Sequence, residues 1–325
     1  MLAIPRRHRL TPEELQAEYV QPARPVIVTG AFDDWPAMTR WRPPSAFGKR
    51  GGRVLAPLIT LPRSRFRHYW RPTDKEGPTL LPAVDTPFDE CIDRIFAPDG
   101  CAYIHHFPLL SEAPQLAEDF RHPYPGLDQS DTPVTFWIGS GGSLSSLHFD
   151  LGHNFLCMVL GKKRLRIFSR EQSYHLYPCF DEKHSELSPV EGVDVERYPL
   201  FARAEGTEVC LEEGELLFLP HLWWHQVITD ESSVMLTWFW HTQEMLHDVA
   251  RLGECKAALD RQDFAHALAL VGHFVTEAYR NMLYAATVRL AGAAGDLDAC
   301  RRAYGHLSDL RHSRVLADLV KSGTT

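Results

Sequence analysis

A mainly β fold is what this sequence predicts: a double-stranded β-helix, or jelly roll, with α/β elements before it and a helical bundle after it. Two observations carry the prediction. Short apolar or alternating runs crowd the middle of the chain, at 134–138, 147–150, 154–160, 165–168, 208–211, 216–219 and 235–240. Gly161-Lys162, Glu213-Gly214 and Asp230-Glu231 punctuate them as turns, and many short strands joined by turns suit two packed sheets or a closed barrel. After Trp240 the character changes. Prolines vanish from Gln243 to Lys321, and apolar residues such as Leu259, Phe264, Leu268, Val271 and Val275 recur at helical spacing.

In chain order, Thr11-Pro12-Glu13-Glu14 reads as an N-cap with proline at the first helical position, opening a short helix to about Tyr19. Pro25-Val26-Ile27-Val28-Thr29-Gly30 is a β-branched run closed by glycine, hence a strand. Residues 33–53 read as loop with one helical turn. Prolines recur between 55 and 87, which favours edge strands and connections over long helices. Phe88 to Phe96 reads as an amphipathic helix and 102–107 as a strand. A polar insertion, about 169–205, interrupts the core strands and reads as a functional lid. Three helices follow, with breaks near Asp260–Asp263 and Gly292–Gly295; such a small bundle needs the barrel or a second subunit to pack against. The chain therefore divides into a first domain, 1–242, with core strands at about 134–240, and a helical region, 243–325.

Composition narrows the function. A hydrophobic content of 44% with 11% aromatics supplies a packed core. The formal net charge of -8 argues against nucleic acid and anionic membrane as partners. A local basic segment with Arg63, Arg65, Arg67 and Arg71 reads as a solvated surface. Seven scattered cysteines without a CxxC pair make a disulfide framework a poor reading. The first residues lack the apolar stretch of a signal peptide, and no apolar run is long enough to span a bilayer, so a reducing cytoplasm is expected.

The chemistry is concentrated in His148-Phe149-Asp150. Alternate residues of a strand share a face, so one imidazole and one carboxylate can grip the same ion. About two His-x-Asp/Glu triplets are expected by chance in this composition, and the second, His184-Ser185-Glu186, reads as solvated loop. The first triplet instead sits at the end of a strand after a glycine-rich turn. His225, in Leu219-Pro220-His221-Leu222-Trp223-Trp224-His225, follows a buried strand and enters another. It supplies a second imidazole, with His221 as the competing candidate. Two imidazoles and one carboxylate on one side of a metal leave open positions and suit non-haem Fe(II) rather than structural zinc.

In the order HFD, HNF, GKKR and LPHLWWH, residues 134–240 resemble the Jumonji-C (cupin-like) family of Fe(II)- and 2-oxoglutarate-dependent oxygenases. Within it, they are similar to the asparaginyl hydroxylase that inhibits hypoxia-inducible factor and to its bacterial relatives. Residues 24–31 and Asp34-Trp35-Pro36 extend the likeness to the N-terminal part. The resemblance implies iron on His148, Asp150 and His225. It implies Lys163 on the distal carboxylate of 2-oxoglutarate, with Ser145 and Tyr103 donating to that carboxylate and Asn154 near the cosubstrate. Strand alternation sends Lys162 and Arg164 to the other face. Trp238 stands where the asparaginyl hydroxylase has an asparagine and Leu156 where it has an aromatic, so the pocket differs there.

The resemblance implies oxidation of a substrate C–H bond with O2, releasing succinate and CO2. A protein or peptide side chain is the expected target, entering past loops that carry Tyr69, Trp70, Tyr174 and Tyr177; a cationic peptide suits an acidic protein. A tRNA- or small-molecule-modifying oxygenase, or a non-catalytic metal-binding cupin with a sensing or scaffold role, are the alternatives. Each ligand histidine should be oriented through its other ring nitrogen. The C-terminal helices match dimerisation helices in position, which implies a homodimer.

Overall fold

The computed structural model describes residues 3–62, 67–68, 70–71, 79–127, 133–177, 184–185, 187, 190, 192–275 and 277–306. The chain divides into two compact units, one of Met1–Ile167 with Gly206–Trp240, the other of Phe168–Glu205 with His241–Thr325. The insertion and the C-terminal helices thus cluster with each other.

The first unit is built on two sheets. The larger runs in the order Arg6–His8, Val26–Thr29, Glu215–Leu219, His153–Leu160, Ser233–Trp240, Thr135–Gly139, Ala102–Phe107, Leu55–Thr60 and Ala83–Pro87. The smaller runs Gly206–Leu211, Lys163–Phe168, Trp224–Thr229, Ser143–Leu144 and Arg67–His68, with His148–Phe149 paired to Trp224–Thr229. Antiparallel pairing across distant segments gives the jelly-roll arrangement the strand spacing predicts.

Alternation along the central strands sorts the side chains. Leu156, Met158, Leu217, Leu219 and Met235 of the large sheet meet Leu165, Ile167, Val209 and Leu211 of the small one, forming the layer between the sheets. Phe155, Cys157, Phe136, Leu236 and Trp238 face the other way, onto Leu15, Trp35, Trp41, Phe47, Phe88 and Ile92. His153–Leu160 is buried along its whole length because both of its faces are covered.

The helix-opening signal at Thr11 is a capping box: Thr11 Oγ1 accepts from Glu14 N while the Glu14 carboxylate accepts from Thr11 N. Helix Pro12–Leu15 then widens into a π-turn, Gln16–Val20. Residues 33–53 hold more helix than expected, with Ala37–Arg40 and Pro44–Gly51. Their proline-rich sequence hides this, because proline at a first helical position starts a helix as readily as it breaks one. Packing of Phe47 edge-on to Phe88, 5.1 Å between centroids, fixes the outcome.

In the second unit, four helices are described where three are expected: Gln243–Asp260, Phe264–Val271, Glu277–Ala293 and Leu297–Gly305. The additional break follows Val271. There the fully buried Asp248 accepts a hydrogen bond from Val275 N at 2.8 Å, and Arg280 donates to the Phe274 and Val275 carbonyls. These long-range caps replace helical hydrogen bonds, which apolar spacing cannot reveal. His184 and Ser185 are buried rather than solvated, and Ser185 Oγ donates to the Leu176 carbonyl. Glu186, the third residue of the triplet, lies outside the described residues. Among the described residues no helix is long and apolar enough to cross a membrane.

Candidate metal centre and cosubstrate pocket

His148 and His225 come together through strand register. Strand His148–Phe149 pairs antiparallel with Trp224–Thr229 so that His148 lies directly opposite His225 and Phe149 opposite Trp224. Directly opposed side chains on one face approach within reach of a common ion, and the two imidazole centroids lie 4.2 Å apart. Asp150 follows as the strand ends, held where its carbonyl accepts from Leu222 N at 2.8 Å. Its Oδ2 is 3.7 Å from His225 Nε2. One ligand atom from each of His148, Asp150 and His225 lies within 4.8 Å of the others.

Backbone carbonyls orient both imidazoles. His148 Nδ1 donates to the Ser146 carbonyl at 2.7 Å, and His225 Nδ1 donates to the Trp223 carbonyl at 3.1 Å. A carbonyl only accepts, so both rings carry their proton on Nδ1 and turn the Nε2 lone pair toward the cluster. In each case the acceptor is two residues back, a local signal that sequence inspection had no means to weigh. Asn154 Nδ2 donates to Asp150 Oδ2 at 3.3 Å. His221 does not join the cluster. It is buried in the turn before the strand, its N–H donating to His153 Nδ1 at 3.3 Å, its ring 5.2 Å from that of His153.

The cluster opens on a cavity of about 380 Å³, mouth included, between the two sheets. All the predicted site residues line it: Tyr103, Ser145, His148, Asp150, Asn154, Lys163 and His225. Lys163 is 1% exposed, while Arg164 pairs outside with Asp230 and Lys162 is exposed, as alternation requires. No carboxylate lies within ion-pair distance of Lys163 among the described residues. Its Nζ instead sits 5.7 Å from the Tyr103 ring centroid. Burial pushes its ammonium down from 10.5 to about 7. A cation in that state gains from an incoming anion, which returns the electrostatic partner that burial removed. Ser145 Oγ accepts from Val227 N at 2.8 Å.

Two expectations about the walls need correction or addition. Trp238 does not alter the pocket; it packs on the opposite face of its strand against Trp35 and Phe120, at 5.7 and 6.0 Å. The cavity face of Ser233–Trp240 is carried by Met235, Thr237 and Phe239. Leu156 lines the cavity as expected. Trp137 is an unanticipated wall; its Nε1 donates to Thr237 Oγ1 at 2.8 Å, and Thr237 is hydrogen-bonded in turn to Thr135 at 2.7 Å. Period-2 alternation from Met235 could have found Thr237. Of the aromatic residues expected near the entrance, Tyr69 and the side chains of Trp70 and Tyr174 lie outside the described residues, as do the Arg67 and Arg71 side chains, Arg63 and Arg65. Tyr177 packs within the second unit, its ring 5.0 Å from that of Tyr198.

The donor set fits divalent iron. Two imidazole nitrogens and a carboxylate converge from one side, no thiolate among the described residues lines the cavity, and a buried ammonium stands ready for a dicarboxylate. The cupin-like domain family matches residues 12–245. The chain belongs to this JmjC oxygenase family. Fe(II), 2-oxoglutarate and O2 are the family's cofactor set, and the triad suits the iron. Lysine-specific demethylase 8 of Danio rerio is 33% identical over 243 residues, covering 73% of this chain and 58% of the relative. The Xenopus tropicalis protein of the same name is 29% identical over 245 residues, covering 73% and 53%. The tRNA wybutosine-synthesizing protein 5 of Gallus gallus is 38% identical over 134 residues, covering 41% of this JmjC chain and 40% of the relative. The match thus spans little more than half the length of the two demethylases.

Proposed function

We propose that this JmjC protein hydroxylates a side chain of a protein or peptide, as an Fe(II)- and 2-oxoglutarate-dependent dioxygenase. The observation that carries the reading is a buried ammonium, Lys163, sharing one cavity with a three-donor cluster. In this reading His148, Asp150 and His225 hold the metal. Lys163, Ser145 and Tyr103 hold the far carboxylate of the cosubstrate, and Asn154 adjoins it. Bound iron with 2-oxoglutarate and O2 supplies the oxidising chemistry, with succinate and CO2 as by-products. The chain's own part is orientation. Carbonyls of Ser146 and Trp223 fix the imidazoles, Asn154 steadies the Asp150 carboxylate, and Leu156, Val227 and Met235 keep the cavity apolar around the reacting atoms.

The test is incubation with Fe(II), 2-oxoglutarate and a peptide library, reading succinate and peptide mass. Succinate with a peptide gain of one oxygen atom is expected, and both disappear in His148→Ala. Loss of one methylene from a methylated peptide would indicate demethylation instead, the activity in the name of the Danio rerio relative. Oxygen added to tRNA would favour a second reading, supported by likeness to the wybutosine-synthesizing protein but opposed by a net charge of -8.

A further inference from the structure

A β-bulge beside the cavity puts two histidines where a regular strand would put one. Strand Ala102–Phe107 pairs with Thr135–Gly139 as Tyr103↔Gly139 and Ile104↔Ile138, then resumes one residue later as Phe107↔Phe136. His105 and His106 therefore both oppose Trp137, the arrangement a bulge creates. His106 holds φ at +48°, left-handed backbone that a residue other than glycine adopts at a cost. Both imidazoles meet the Trp137 ring nearly at right angles, at 4.7 and 5.4 Å, and His106 also reaches Phe239 at 6.0 Å. Trp137 and Phe239 line the cavity and are partly exposed, and His106 is exposed, so this group marks the cavity's edge. The Trp137 ring cannot swing away, because Thr237 holds its Nε1.

We propose that His106 is a substrate-specificity residue, and that the group it joins accepts a planar side chain bearing N–H groups: guanidinium, imidazole or carboxamide. The proposal rests on the oxygenase reading above. A flat conjugated head can lie along the indole and phenyl surfaces while its polar edge hydrogen-bonds to an imidazole, which can donate or accept. A tetrahedral ammonium has no such face, and an aliphatic chain has no polar edge. The backbone strain gives the bulge a use, since sparsely populated conformations persist where the local geometry serves a site. Without the extra residue, His106 would point into the layer behind the sheet, with Ile104.

The strain also supplies clean variants, because glycine and asparagine both accept a positive φ. Binding of peptides differing only in a central Arg, His, Asn, Gln, Lys or Leu is measured on protein loaded with Mn(II) and 2-oxoglutarate without O2. Turnover is then measured with Fe(II). The wild type is expected to favour the planar group over Lys and Leu. His106→Gly weakens those peptides about tenfold or more, the scale of one lost hydrogen bond with its packing, and flattens the ranking. Thermal stability, 2-oxoglutarate affinity and peptide-free succinate formation stay at wild-type levels, and His106→Asn recovers the preference. An unchanged ranking and affinity in His106→Gly would overturn the proposal, as would a wild-type ranking led by Lys or Leu. Succinate formation without conversion of any planar side chain overturns it too. No succinate under any condition removes the oxygenase reading and this proposal together.

Discussion

Lys163 bears the most informative charge in the molecule. Its strand alternates inward and outward, and the inward position carries an ammonium where neighbours of the same face, Leu165 and Ile167, are apolar. Burial lowers its titration from 10.5 to about 7. Between those values the unfolded chain binds more protons than the folded one, so ligand-free stability rises with pH across that window. The slope from this group approaches about 1.4 kcal/mol per pH unit. Urea midpoints compared at pH 7 and 9 should show the rise in the wild type and a smaller one in Lys163→Met. A bound dicarboxylate reverses the preference by holding the proton. Its affinity is therefore expected to be greatest below pH 7 and to decline above it, with proton uptake on binding in calorimetry. Lys163→Met should weaken 2-oxoglutarate by about 10- to 150-fold, the range for a lost hydrogen bond to a charged group, while leaving metal affinity close to normal.

At the scale of elements, register and close approach place the site. Gly161 turns the chain between His153–Leu160 and Lys163–Phe168 at φ +74°, its N–H donating to Glu213 at 2.7 Å. The strand that leaves this turn begins with Lys163. Gly139 matters for another reason: a Cβ there would overlap the Tyr103 ring on the paired strand. Gly139→Ala should therefore push Tyr103 into the cavity and lower stability by about 1–3 kcal/mol, the usual effect of overpacking. A matched loss of 2-oxoglutarate affinity, read by calorimetry, separates this from a general loss of fold. The strands themselves were legible from their alternation and turns. The bulge at His105-His106 was not, because one inserted residue leaves no mark in the sequence of a six-residue strand. Nor was the helix break after Val271, which depends on Asp248, over twenty residues earlier.

At the scale of the whole molecule, the second unit draws on two distant stretches of chain. The turn Arg170–Leu176 packs on helix Glu277–Ala293, and Arg289 lies over the Tyr177 ring at 5.6 Å. Ending the chain at Trp240 would leave Leu176, fully buried at the end of that turn, without that cover. Such a truncation should bind a hydrophobic dye and aggregate, whereas the full chain should do neither.

Composition, strand spacing and the order of four short motifs were enough for the fold class and for the JmjC family, and they pointed to residues that line one cavity. These are local properties: alternation is written in neighbouring residues, and donor chemistry belongs to the side chain itself. The choice of His225 over His221 was not local, because it follows from the register that sets His225 against His148. The same holds for Trp238, which alternation turns to the helical side while Thr237 takes the cavity. Pairing between residues some eighty positions apart is a long-range property, fixed only when two sheets close over a shared core.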